Sequence, residues 1–112
     1  MFKDLCAAHN SIDDEGTKER WRKAGGRVAR RLAKDLGGKA SWNPGGIAVE
    51  GDHSVITPTS WIQLCGWAGR QSFLYRKASP EDKYGTRSSN CWAPLPSTEE
   101  EYQALLVRVR AL

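Results

Sequence analysis

The side chains of this chain best suited to chemistry are cations. Lys18 to Lys39 holds nine Lys/Arg against two acids, Glu19 and Asp35, a net of +7. The rest of the chain carries a net of −3, so the whole excess of +4 comes from this one segment. At the helical repeat of about 100° per residue, with Trp21 at zero, Arg20, Lys23, Arg27, Arg30, Arg31 and Lys34 share an arc between about −80° and −180°. Lys18 and Arg22 fall outside it. Guanidinium pairs bidentately with phosphate, and an asymmetric positive face is the electrostatic footprint of a nucleic-acid binder. Six such contacts predict a slope of about −5 in log K against log salt. The competing reading is a solvated helix face that keeps a small protein soluble.

Other chemistry is scarce. Zinc needs four ligands at characteristic spacing, and Cys6, His9, His53, Cys65 and Cys91 offer only Cys6-x-x-His9 as half a site. No metal or cofactor is expected. A hydrolytic centre can be sketched from Asp52, His53 and Ser54, or from His53 with Glu50 and Arg76. Neighbours in a strand point to opposite faces, however, and Gly51-Asp52-His53 reads as an ordinary hairpin turn. Gly37-Gly38-Lys39 ends a helix where a phosphate loop would begin one. The chain is therefore read as a non-enzymatic binding protein.

The elements that position these residues follow from periodicity. Phe2, Leu5, Cys6 and His9 predict a short first helix ending near Asn10. In the basic segment Trp21, Gly25, Val28, Ala29, Leu32 and Leu36 form one apolar stripe, with Thr17 as a cap after Asp13, Asp14 and Glu15 and a stop at Gly37-Gly38. Gly25-Gly26 costs about 1 kcal/mol per residue relative to Ala, and either splits the helix or admits another backbone. Ser41 to Gly46 reads as a turn-rich connector from which Trp42 returns to the core. Ile47–Glu50 and Ser54–Thr57 are expected to form a hairpin around Gly51-Asp52-His53. Trp61–Trp67 and Ser72–Lys77 make a second hairpin, and Cys91–Ala93 a last short strand. The polar stretch Ser79–Asn90 has no periodicity, and a loop of that length is often functional or mobile. Ser97 and Glu100 form a capping box for a helix over Thr98–Leu112 whose Tyr102, Leu105, Leu106, Val109 and Leu112 share a face. The expected fold is one α+β domain spanning residues 1–112: an antiparallel sheet of three to five strands, with the basic helix and the C-terminal helix on one face.

Length and composition agree with one modest core. At 112 residues, 39% hydrophobic and 27% charged, the chain is ordinary for a folded soluble protein. It lacks an 18-residue apolar run or a secretory leader, and its three cysteines are not closely spaced, so a cytoplasmic protein with reduced thiols and no membrane partner is expected.

Five tryptophans are heavy for this length. Most should fill the core. A sheet carrying Trp61, Trp67, Phe73 and Tyr75 beside Arg70, Arg76, Lys77 and Arg87 would also serve as a stacking platform for bases or a patch for a protein partner. Trp67, Tyr75 and Tyr84 are the candidate stacking or partner contacts, with Trp67 expected to be exposed at its hairpin tip. Leu74-Tyr75-Arg76, Asp82-Lys83-Tyr84-Gly85 and Asn90 resemble a tract in small uncharacterised proteins of phages, plasmids and other mobile elements. That resemblance, over less than a fifth of the chain, implies a small accessory protein that binds a host component. The leading expectation is nucleic-acid binding. The alternative is a protein-interaction or oligomerising module, including an inhibitor of a host protein.

Overall fold

A computed structural model describes residues 1–10, 15–45, 51–66 and 71–112, with residues 15–17 described by their backbone alone. The element order is α1 (Phe2–Asn10), α2 (Glu15–Leu36), β1 (Lys39–Asn43), β2 (Asp52–Ile56), β3 (Ser60–Leu64), β4 (Phe73–Lys77), β5 (Cys91–Ala93) and α3 (Glu99–Arg110). The five strands form an antiparallel meander in the order β1-β2-β3-β4-β5. The fold is α+β, with helices at both ends of the chain.

Register explains the layering. Trp42 pairs with His53, His53 with Leu64, Leu64 with Phe73, and Phe73 with Ala93, so these side chains share one face. That face and the inner sides of the three helices build one core, in which Leu5, Trp21, Val28, Leu32, Ile62, Leu64, Phe73 and Tyr102 are fully enclosed. The opposite face carries a smaller cluster of Trp61, Cys65, Leu74 and Ala78. The Arg76 guanidinium lies 4.0 Å from the Trp61 ring centroid, and its Nε and Nη1 donate to the Tyr84 carbonyl and the Asn90 side chain. The 79–90 loop is held to this face by those bonds, and it is folded by Asp82, whose carboxylate accepts from the Thr86 and Arg87 amides and the Thr86 hydroxyl.

Three local expectations change. Ser41-Trp42-Asn43 is strand β1, not connector, and Asp52-His53 opens β2 rather than forming a turn. Edge pairing with β2 overrides the turn-forming residue types, because Trp42 and His53 gain a packed neighbour in each other. The Ile47–Glu50 half of that expected hairpin lies outside the described residues. The α3 cap also shifts by one residue: Thr98 accepts from the Glu101 amide, and the Glu101 carboxylate accepts from the Ser97 amide and hydroxyl.

The basic helix is unbroken through Gly25-Gly26. It stops as expected, with Gly37 at a φ of 72° and the Gly38 amide donating to the Ala33 carbonyl at 2.8 Å.

Candidate anion site between α2 and β1

What the glycine pair admits is a side chain, not a backbone. A Cβ on Gly25 would lie 2.5 Å from His53 Cδ2 and 2.7 Å from Nε2, so the His53 ring occupies the volume that any other residue at 25 would need. His53 is only 3% exposed. It sits in an aromatic column: His9 to Trp21 at 5.2 Å, Trp21 to His53 at 5.8 Å and His53 to Trp42 at 4.5 Å between centroids. Trp21 is fully buried and its Nε1 donates to the Gly51 carbonyl at 2.7 Å. Gly51 is required there, because a Cβ would run into the Trp42 ring.

Gly25→Ala should therefore lower stability by roughly 1–2 kcal/mol, because overpacking against a penned imidazole outweighs the gain in helix propensity. Gly26→Ala should be neutral or stabilising, since its Cβ would meet only the Arg30 guanidinium at 3.1 Å and His53 Cε1 at 3.5 Å. Denaturant midpoints of the two variants check this contrast.

Among the described residues the charges around His53 are of one sign. Burial pushes its pKa down to about 4, opposed by the Trp21 and Arg22 backbone carbonyls that face the ring, and the nearby Arg30 and Arg22 charges add to the depression. Nε2 makes no hydrogen bond within the structure. The unfolded histidine, near 6.5, binds a proton that the native one refuses between pH 6.5 and about 4, so stability falls as pH drops through that window. The full loss is about 3 kcal/mol, and His53→Phe should flatten the acid limb of stability against pH.

Beside His53 opens a cleft of about 160 Å³ lined by Arg22, Gly26, Ala29, Arg30, Ala40, Ser41, Trp42 and His53. A second depression of about 260 Å³, lined by Arg22, Lys23, Arg27 and Arg30, adjoins it along α2. Among the described residues no carboxylate lines either one. Arg22, which the helical wheel set apart from the cationic arc, thus stands in both, with its guanidinium paired to Glu19. Sequence reasoning missed Arg22 and Trp42 as site residues. The cleft lies beside the cationic arc, and its β1 wall depends on pairing across the sheet.

Arg20, Lys23, Arg27, Arg30 and Lys34 are all exposed, and none forms an ion pair among the described residues. Arg31 stands apart. Its guanidinium holds the Glu99 carboxylate bidentately at 2.7 and 2.8 Å, lies 3.6 Å from Asp35, and stacks 4.3 Å from the Tyr102 ring centroid. Those contacts raise the Arg31 pKa and lower that of Glu99. Tyr102 donates to Asp35, and Arg110 to the Asp35 carbonyl, so this end of the arc is the joint between α2 and α3. Arg31, expected as a phosphate contact, is a structural tie between α2 and α3 through Glu99.

Among the described residues the aromatic candidates do not gather into a platform. Tyr75 is 4% exposed on the helix-covered face, beneath Arg108, and has no free ring face for a base. Tyr84 is 51% exposed, but its loop is tied to the opposite face of the sheet. Trp61 and Phe73 point to opposite faces for the same reason of register. Trp67 lies outside the described residues.

The Asp52-His53-Ser54 sketch loses its geometry. Asp52 and Ser54 face away from His53, and Asp52 accepts from Gln63 and the Gly66 amide. Glu50 lies outside the described residues. His9 Nε2 is 2.8 Å from the Ser72 hydroxyl, a nucleophile-to-base distance, but it also meets the Cys65 carbonyl at 3.2 Å. A carbonyl there needs a proton on Nε2, and Ser72 is fully buried, so the pair fastens α1 to the sheet. Cys6 and His9 likewise part company, the thiol donating to the Pro96 carbonyl. Among the described residues no group of three His, Cys, Asp or Glu side chains is placed to hold a metal, and no helix is long and apolar enough to cross a membrane. No family model, curated protein or solved structure matches the chain.

Proposed function

We propose that the protein binds nucleic acid through the outer face of α2, with Arg20, Lys23, Arg27, Arg30 and Lys34 contacting the phosphate backbone. The observation that carries this reading is that five exposed cations follow one helix face without a carboxylate partner among the described residues. A face built for solubility alone gains from interspersed acids, whereas a face for a polyanion loses affinity with each acid it carries. Among the described residues no base-reading element accompanies the cations, so binding is expected to be indifferent to sequence. It would act in the cytoplasm, where Cys6, Cys65 and Cys91, all free thiols, stay reduced.

Fluorescence anisotropy with labelled duplex and single-stranded oligonucleotides tests the reading. Arg27→Gln should weaken binding evenly across sequences and lower the salt slope by about one. Arg31→Gln should instead cost stability through the α2–α3 joint and leave the slope unchanged.

A second reading, a protein-interaction surface, is favoured by exposure on the sheet's far side, where Trp92 is 37% and Tyr84 51% exposed. Salt-insensitive self-association in light scattering, lost with Trp92→Ala, would support that reading over nucleic acid.

A further inference from the structure

We propose that the cleft between α2 and β1 is a receptor for a single phosphoryl group, held by the guanidiniums of Arg22 and Arg30 against a wall formed by Trp42 and His53. It shares Arg30 with the nucleic-acid reading but stands on separate observations, and either can fail without the other.

The first observation is the geometry of the cleft. Gly26 lines it, and the Arg30 guanidinium lies beside that glycine, with Nη1 3.1 Å from where a Cβ would stand. A larger residue at 26 would push Arg30 off the cleft. At about 160 Å³ the space is below the roughly 300–1,000 Å³ of pockets for drug-sized ligands, so it suits one small polar group.

The second is charge. Two guanidiniums and no described carboxylate line the cleft, which the packed Trp42 and His53 rings flank on one side. Arg22 is paired with Glu19, but at the exposed surface, where such a pair contributes little and is readily exchanged for a phosphate. Two forked guanidiniums match a phosphate dianion better than a single carboxylate, because each can donate two parallel bonds.

The third is the buried imidazole. His53 lines the cleft with its Nε2 unpartnered, and the charged groups facing it, Arg30 and Arg22, are both positive. Among the described residues the buried ring has two cations and no carboxylate facing it, so it lacks a negative neighbour of its own. An anion seated in the cleft supplies it, and by linkage the anion must raise the affinity of His53 for a proton. The same group can come from a strand end or from a free phosphate.

Inorganic phosphate is the probe. Titrated into the full chain at neutral pH, it should shift the His53 ring and the Ser41 and Trp42 amide resonances saturably, and move the His53 titration upward. Arg30→Gln should weaken this response about tenfold or more, while Lys39→Gln, an exposed cation of β1 that lines neither opening, should leave it within about twofold. Absence of a saturable shift, or equal weakening by both variants, overturns the proposal, the latter because it reports a diffuse field. Oligonucleotides carrying a 5′-phosphate or a 5′-hydroxyl then separate the sources. Tighter binding of the phosphorylated strand, erased by Arg30→Gln, assigns the site to strand ends, whereas equal binding of the two with the phosphate response intact assigns it to a free phosphate. An intact phosphate response with no oligonucleotide binding removes the nucleic-acid reading and leaves the cleft.

Discussion

Trp21→Ala is expected to remove about 3–5 kcal/mol of folding stability, the range for truncating a fully buried tryptophan. The side chain has no exposed surface, and it touches both histidines of the aromatic column. Its loss would leave a cavity between α1, α2 and β2 and strip the Gly51 carbonyl of its 2.7 Å donor. Domains of this size have about 5–15 kcal/mol in total, so the variant should sit near the edge of folding. Trp21→Phe separates the two contributions: it keeps most of the apolar area and loses the indole N–H, and should cost roughly 1–3 kcal/mol. Urea unfolding with an unchanged m-value reads both. A Trp21→Ala cost below about 1 kcal/mol would mean that the column does not join helix to sheet.

That joint is where reading the sequence ran out. The apolar stripe of α2 was legible because Trp21, Val28, Leu32 and Leu36 recur at the helical period, and the stripe does face the sheet. Gly25 and Gly26 were legible only as a weakness. Their reason, the His53 ring, lies 28 residues along the chain and depends on the β1–β2 register. β1 was hidden because it is an exposed edge strand, with only Trp42 half-buried, so it shows no apolar alternation and its residue types resemble a turn. Arg31 looked like its neighbours on the wheel because periodicity ranks residues around one helix only. Its partner Glu99 arrives from the far end of the chain. Arg22 shows the reverse: it falls off the arc, yet β1 brings a wall to its side of the helix. The C-terminal helix was the plainest reading, since its cap, its apolar face and its terminal charges all lie within one short segment.

The second large effect is that of salt on nucleic-acid binding. Five phosphate contacts on duplex DNA, one fewer than the wheel gave because Arg31 is committed to Glu99, give a slope of about −4.5 in log K against log salt. Between about 50 and 200 mM salt that is a loss of roughly 500-fold in affinity. Replacing Arg20, Lys23, Arg27, Arg30 and Lys34 together by Gln should abolish binding at the higher salt without unfolding the chain, because all five are exposed and none holds an ion pair among the described residues. The measurement that bears most directly on the account is this slope, taken by anisotropy on one labelled duplex with the native chain and with Arg31→Gln at a temperature where both are folded. A slope near −4.5 that Arg31→Gln leaves in place is the predicted result. A slope near zero, or one that Arg31→Gln lowers by about one, would contradict it.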